Sequence, residues 1–424
     1  MKTKLFLILL LVFPSIAFTQ GTWTEYNKEV NTGLIQGGNI MSHFTESKDG
    51  SIWVSNTTGS IVRILGDDIT IYDNLKRSIA AQTNIGTLVN AREKTIGVWW
   101  FSQADMESGW VWFASNRGIV LWDNEKLLFL TGETDPKGHV ILLDEQTGTN
   151  YIINNNIIEK TDAVKNVNPT KDMYNFYSVY IDSKKRVWFG GSAGRLYCIE
   201  NGIWKIWNDI TNSNYSNDDK TVRKIFEDKK GTIYVVCHGI LWRIDNNTIQ
   251  FDDKLPNLKD ATGGFADSKG NIWISGTKGV YKFSEGNWIF YGASEGIDAI
   301  PVAGPIIEDK EGNIWFAGIN TTIFTKSTGI FILKPIGAVY KYDGRIWTKY
   351  SVVKKNLITD LYADNQGEVW ATESIGVYKF DGDQFVLQRN CSKTRSFIKI
   401  FQDTKGNIWV GRGSFKGEID KYTN

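Results

Sequence analysis

The residue types that most often perform catalysis or bind metals are scarce in this chain. Its three histidines, His43, His139 and His238, form no H-E-x-x-H motif and stand beside no metal-spaced pair of cysteines. Cys237 and His238 are adjacent in a strand-like run, where successive side chains point to opposite faces, so we do not expect a nucleophile and its base there. The sequence predicts no metal site and no cofactor.

Acidic residues are plentiful, which leaves open a carboxylate pair that would cleave a glycosidic bond. Many aspartates, however, recur in one short phrase, as in "DSKGNIW", where Asp267, Gly270 and Trp273 are spaced by three residues. An Asp side chain in a turn accepts hydrogen bonds from backbone N–H groups two or three residues on, and a Gly supplies the positive φ of a tight hairpin. We therefore interpret these aspartates as structural, and the sequence favours a non-catalytic protein.

The aromatic residue of the phrase serves as a marker that identifies each copy. The secure copies have their marker at Trp53, Trp112, Trp188, Tyr234, Trp273, Trp315, Trp370 and Trp409. A weaker copy, "LLDEQTGTNYII", places Tyr151 in the same role. We therefore count nine units, and eight if the Tyr151 unit is only an insertion.

The positions ten and eleven residues before the marker differ from one unit to the next, and many of them are polar. Both positions should lie where the first strand of each unit begins, and polar groups that converge there could bind a small ligand. Solvated strand ends are the alternative interpretation. The candidate ligand-binding residues are His43, Tyr177, Arg223, Lys224, Thr262, Asp360 and Lys399. The insertions at 75–98 and 317–338 are further candidates, because function often collects on loops.

Each copy of the phrase belongs to a unit with four short strand-like runs. A hairpin carries the marker, a third run such as "GVYKF" follows a Gly, and a fourth run such as "NWIFYG" ends most units. Four strands in about 40 residues are typical of a β-propeller blade. We predict an all-β fold with a single closed propeller of nine four-stranded blades, with eight as the fallback.

The two ends of the chain complement each other. The last unit stops at "GEIDKYTN", after its third strand, and "GTWTEYN" at residues 21–27 looks like an orphan fourth strand. We predict that the N-terminal strand pairs with the C-terminal blade and closes the ring, which removes exposed sheet edges and would make the chain complete.

The string D-x-x-G-N-I-W, followed by G-V-Y-K-F, resembles the two-component-regulator propeller repeat. The similarity is most specific at 267–273, 309–315, 364–370 and 403–409. It implies a propeller of the kind found in periplasmic sensor domains, which often recognise carbohydrate. This chain shows no kinase module and no transmembrane segment after the repeats, so the resemblance carries over only the recognition role. The phrase also partly matches the Asp-box of sialidases.

Residues 1–20 have the pattern of a signal peptide. Lys2 and Lys4 precede an apolar run from Leu5 to Phe13, and the small residues Ser15 and Ala17 follow. We predict a leader at 1–20, a propeller at 21–424, export to the periplasm or beyond the cell, and no membrane insertion after cleavage. The formal net charge of +1 argues against a nucleic-acid partner. Three cysteines do not form a disulfide framework.

Three functions therefore remain open. The favoured one is non-catalytic recognition of an extracytoplasmic ligand, either a glycan or an envelope or secreted protein. The second is a propeller enzyme, a lyase or hydrolase, that acts on polysaccharide. The third is a structural hub of an envelope or secretion assembly.

Overall fold

The fold was analysed in a computed structural model. It describes residues 21–26, 39–56, 60–72, 100–115, 118–162, 176–207, 221–237, 240–245, 248–251, 261, 263–276, 279–297, 306–325, 331–352, 358–373, 375–390, 396–414 and 418–423. The predicted leader lies outside these residues, so the boundary at residue 20 stays a prediction.

The described chain is almost entirely β-strand, as predicted. The strands of the first half are β1 (Thr22–Glu25), β2 (Asn39–Glu46), β3 (Ile52–Asn56), β4 (Ile61–Leu65), β5 (Asp68–Tyr72), β6 (Trp100–Ala104), β7 (Val111–Ser115), β8 (Gly118–Trp122), β9 (Leu127–Thr134), β10 (Val140–Asp144), β11 (Thr149–Asn154), β12 (Ile157–Lys160), β13 (Phe176–Ile181), β14 (Val187–Gly191), β15 (Leu196–Glu200) and β16 (Ile203–Trp207).

The second half continues the same pattern. Its strands are β17 (Val222–Glu227), β18 (Ile233–Cys237), β19 (Ile240–Asp245), β20 (Thr248–Phe251), β21 (Gly263–Ala266), β22 (Ile272–Gly276), β23 (Gly279–Ser284), β24 (Asn287–Tyr291), β25 (Ile306–Glu308), β26 (Ile314–Thr325), β27 (Phe331–Tyr342), β28 (Trp347–Ser351), β29 (Ile358–Ala363), β30 (Val369–Glu373), β31 (Gly376–Phe380), β32 (Phe385–Asn390), β33 (Ser396–Gln402), β34 (Ile408–Ser414) and β35 (Glu418–Thr423). Two short 3₁₀ turns lie at Ser192–Gly194 and Ala293–Glu295.

These strands form a β-propeller of seven hydrogen-bonded blades, so the predicted count of nine, and the fallback of eight, are wrong. Five blades are four-stranded sheets. The Tyr151 unit makes no blade of its own, because β10 pairs with β9 and β10–β12 extend the sheet that begins at β6. The first and last units share one sheet, because β2 pairs with β34 at Asn39↔Ser414 and Ile40↔Gly413.

The inner strands of the propeller enclose a central channel. In chain order each contacts the next, and the last contacts the first: β2, β6, β13, β17, β21, β25, β29, β33. The buried apolar side chains fill the spaces between successive sheets, in clusters such as the one around Trp273, Phe316 and Tyr340. The core is therefore a ring of interfaces around the channel.

The ends of the chain pair as predicted. Strand β1 runs antiparallel to β35, from Thr22↔Thr423 to Glu25↔Asp420. The Trp23 ring lies 5.1 Å from the Tyr422 ring, and the Tyr26 ring lies 5.4 Å from that of Trp409. The N-terminal strand therefore supplies the outer strand of the sheet that contains the C-terminus.

The repeated phrase forms the hairpin between the first two strands of a unit. Asp267 Oδ1 accepts the N–H groups of Lys269 (3.0 Å) and Asn271 (2.7 Å), and Gly270 closes the turn at φ 85°. The donor N–H groups thus lie two and four residues after the Asp, where the sequence predicted two or three. The sequence also missed that Asp267 Oδ2 accepts the Trp273 indole N–H at 2.8 Å. The unit that lacks the Gly places Lys185 at φ 64° instead.

The same hairpins connect neighbouring units. Glu308 of one unit accepts the Ser268 backbone N–H (2.6 Å) and hydroxyl (2.5 Å) of the unit before it. At the junction of the chain ends, Glu46 accepts the corresponding groups of Thr404 at 2.6 and 2.7 Å. One type of contact therefore joins units within the chain and also closes the ring.

The turn aspartates should contribute strongly to stability. We expect Asp267→Ala to lower the free energy of unfolding by about 3–5 kcal/mol, because the buried indole N–H and two partly buried backbone N–H groups lose their acceptor. Asp228→Ala is the matched control and should cost about half as much, because its marker residue, Tyr234, donates over a longer 3.3 Å contact. Urea unfolding of both variants measures this, and equal losses would contradict it.

The ring closure can be tested by removing β1. Deleting residues 21–26 should lower the free energy of unfolding by about 3–5 kcal/mol, because Trp23 and Tyr26 lose their packing and β35 becomes an edge. Replacing the exposed Thr22 and Thr24 by Ala should change it by less than about 0.5 kcal/mol. Unchanged stability of the deleted protein would refute the closure.

Candidate functional site

A β-bulge occurs at the start of several inner strands. In each one an additional residue interrupts the register with the second strand of the unit. The bulges fall in β2, β13, β17, β29 and β33, and their additional residues are Ser42, Tyr177, Arg223, Thr359 and Ile398. A bulge bends its strand and redirects the neighbouring side chains. These are the sequence positions that vary between units.

The residue after the bulge carries the polar group in the candidate site. These residues are His43, Ser178, Lys224, Asp360 and Lys399. The sequence alone does not distinguish these residues from the bulge residues beside them, because a bulge is defined by the pairing of two strands. The variable region therefore contains two sets of residues, those at the bulges and those directly after them. The second set carries the polar groups of the candidate site.

Asp360 and Lys399 form an ion pair between adjacent units. Asp360 is buried, and its carboxylate accepts the Lys399 ammonium and the Ile400 backbone N–H, both at 3.1 Å. Burial raises the pKa of Asp360 above its ordinary value, while the positive charge of Lys399 and these hydrogen bonds oppose the rise. The carboxylate is therefore held by the neighbouring strand at a site where a charge is costly.

Lys224 occupies the same position after the bulge of β17, and it interacts electrostatically with these two residues from another part of the ring. Burial lowers the pKa of Lys224, the charge of Lys399 lowers it further, and Asp360 acts in the opposite direction. Strands β21 and β25 lie between β17 and β29, so this interaction crosses the channel rather than passing between neighbours. Solvent contacts the Lys224 side chain although protein surrounds it, as expected inside an open channel.

The other predicted site residues are not shown to join this group. His43 packs against Phe101 of the next inner strand, with ring centroids 4.6 Å apart. Tyr177 is half-buried and Arg223 is exposed, both at bulges. Thr262 lies outside the described residues.

The two insertions also have separate outcomes. Residues 75–98 lie outside the described residues. Of residues 317–338, those at 317–325 lie in β26 and those at 331–338 in β27, and the pairs from Ala317↔Val339 to Thr325↔Phe331 extend the ladder beyond the length of the other blades; residues 326–330 lie outside the described residues.

One buried acid near this end of the propeller was missed by the sequence analysis. Glu373, at the end of β30, is fully buried and accepts the Tyr378 hydroxyl at 2.9 Å. Thr372 beside it lies 3.0 Å from the Thr359 hydroxyl at the bulge. The available signal was the third position after the marker, which is Gly276 in one unit and Glu373 in another.

One surface cleft lies between the β6–β12 sheet and the next sheet, against Trp110, Ile153 and Ile181. Its charged edge is already paired, because Lys185 donates to Asp105 at 2.7 Å. We therefore place the candidate site in the channel.

The described residues offer little for metal or thiol chemistry. They contain no group of three or more His, Cys, Asp and Glu side chains that could hold a metal ion. Cys198 and Cys237 are buried free thiols, and burial raises the pKa of Cys198 to about 12, which disfavours a reactive thiolate at neutral pH. In the same part of the chain, no helix is long and apolar enough to cross a membrane.

Comparisons with known proteins identify the fold and no family. No family model matches the chain, and no curated protein matches it. The chain is similar to a catalytically inactive virginiamycin B lyase from Staphylococcus aureus with quinupristin, at 14% identity and a TM-score of 0.51, over 95% of this chain and 99% of that one. It is also similar to Saccharomyces cerevisiae Sqt1, at 10% identity and a TM-score of 0.53, over 95% and 98%.

A third similarity is weaker. The extracellular domain of the one component system BT4673 from B. thetaiotaomicron matches at 14% identity and a TM-score of 0.34, over 92% of this chain and 57% of that one. At these identities the comparisons support the propeller fold alone. Membership of the two-component-regulator propeller family stays a resemblance.

The coupling across the channel can be measured directly. We expect Lys399→Met to raise the pKa of Lys224, because a repelling positive charge is removed. Asp360→Asn should lower it, because an attracting negative charge is removed, and Lys405→Met, in the exposed turn of the Lys399 unit, should leave it unchanged. NMR titration of ¹³C-dimethylated lysines gives these values, and an insensitive Lys224 would contradict the assignment.

Proposed function

We propose that this protein is an exported, non-catalytic recognition propeller that binds a glycan at the mouth of its central channel. One observation carries the proposal: Lys224, Asp360 and Lys399 come from three different inner strands and interact electrostatically across the channel. Charged side chains with shifted pKa values in a concave place are typical of functional sites. The position of these residues on a closed ring of strands keeps the site rigid.

A binding role fits these residues better than hydrolysis does. Hydrolysis of a glycosidic bond uses two carboxyl groups, one on each side of the bond. The channel group described above has one carboxylate and two ammonium groups. The turn aspartates are already occupied, as at Asp309, which accepts the Trp315 indole N–H at 2.7 Å.

Export is the second part of the proposal. It rests on the basic and apolar pattern of residues 1–20 and on the resemblance of the repeats to periplasmic sensor propellers. A glycan is favoured over a protein partner because the group lies within a channel, which a compact ligand enters more easily than a folded surface does. Binding of an envelope protein is the other outcome of the experiment.

The proposal is tested by a thermal-shift screen of the exported chain against a glycan library. We expect at least one glycan to raise the melting temperature, and Tyr177→Ala and Arg223→Ala at the mouth to reduce that shift. Lys230→Met, in an exposed turn, is the control and should leave it intact. A shift that both mouth variants retain would place the site elsewhere, and a library without hits would reject glycan recognition.

A further inference from the structure

We propose that the ligand carries a single carboxylate, as a sugar acid does, and that this group binds Lys224 within the channel. The inference rests on the proposed function, because it specifies what the channel recognises. It follows from how the three charged groups of the channel are paired with one another.

Lys399 and Lys224 differ in their partners. The ammonium group of Lys399 donates to Asp360 at 3.1 Å, so its charge is largely balanced. No ion pair or hydrogen bond joins the Lys224 ammonium to any of the described residues, although Asp360 and Lys399 both influence it. Lys224 is thus the group whose ammonium can bind an anion.

The charges of the group also limit the charge of that partner. Two ammonium groups and one carboxylate leave a net charge of +1 when all three are ionised. An ammonium group within protein is unfavourable without a counterion, and here Lys399 repels it as well. A monoanion balances these three groups, whereas a phosphate dianion would place excess negative charge beside Asp360, because the Arg223 guanidinium lies at the mouth and is exposed to water, which screens its charge.

The neighbouring mouth residues favour a sugar acid over an acidic peptide. Tyr177, at the bulge of the preceding inner strand, and Arg223, beside Lys224, offer a phenol and a guanidinium group at the mouth. Hydroxyl groups of a sugar can hydrogen-bond to both kinds of group, and a sugar ring can pack on the Tyr face. A ligand with one carboxylate and several hydroxyls matches this set.

The inference is tested by calorimetry on the exported chain with defined probes. The probes are D-galacturonate, D-glucuronate and N-acetylneuraminate, the methyl ester of each, inorganic phosphate, and a peptide that ends in Asp. We expect at least one acid to bind about tenfold more tightly than its ester, because a charge-assisted contact contributes about 1.4 kcal/mol or more. Phosphate and the peptide should bind more weakly than that acid.

Two variants of opposite expected effect make the test specific. Lys224→Met should weaken binding of the acid about tenfold and leave binding of the ester unchanged. Asp360→Asn should strengthen binding of the acid several-fold, because it removes a negative charge and releases Lys399, while its side-chain oxygen can still accept the Ile400 N–H. Lys230→Met is the matched control, and unchanged melting temperatures verify that the variants fold.

The outcomes separate this inference from the proposed function. Neutral glycans that bind equally well to wild type and Lys224→Met, but lose binding in Tyr177→Ala, would overturn the carboxylate and leave channel recognition intact. Stronger binding of phosphate or of the peptide would overturn the sugar acid. Weaker binding to Asp360→Asn would refute the charge argument. No binding of any glycan, acid or ester would reject both proposals.

Discussion

The structure depends on the hydrogen bond between the turn carboxylate and the marker indole. In the unit of Trp315 the Asp309 carboxylate accepts that indole N–H at 2.7 Å and two backbone N–H groups of its own turn. Burial of an indole N–H without an acceptor is costly, and here the acceptor lies within the same hairpin, so the ring can pack against the next sheet. Trp53 shows the alternative: Ser47 replaces the Asp, the indole nitrogen has no acceptor among the described residues, and Arg63 lies over the ring at 5.7 Å.

The units join into a closed ring through a second repeated contact. In it, a Glu carboxylate of one unit accepts a hydrogen bond from a Ser or Thr in the turn of the unit before it. The pairing of Glu227 with Ser183 (2.6 Å) connects two units that follow each other in the chain. The pairing of Glu46 with Thr404 connects units at opposite ends of the chain with the same geometry. The ends therefore meet through an interaction that the interior already uses, and β1 adds backbone pairing to it. A ring closed in this way leaves no unit with an uncovered face.

The repeated part of the structure could be predicted from sequence, and the relations between strands could not. The Asp–Gly–aromatic spacing predicted the hairpin turns and the four-stranded units, and the complementary ends of the chain predicted the terminal pairing. The blade count failed at two places: the hairpin pattern at Tyr151 extends the sheet of β9 and lacks an inner strand of its own, and the first and last units share one sheet through β2 and β34. The indole acceptor was missed because a sequence spacing of six residues gives no sign that two side chains meet across a turn.

Each unit has recurring residues that build the fold and variable residues at the candidate site, and the two sets occupy different positions. The Asp, Gly and aromatic positions are occupied by turn and interface, so they recur. The residue after the bulge is not one of these recurring positions, so it can be His43 in one unit and Asp360 in another. Polar residues of the varying columns stand at and beside the bulges of the inner strands, and only the folded ring shows that Lys224 interacts electrostatically with the Asp360–Lys399 pair. Each inner strand of the ring contacts a neighbour on either side, so moving Lys224 away from the like charge of Lys399 would break contacts on both sides of β17, which opposes that movement.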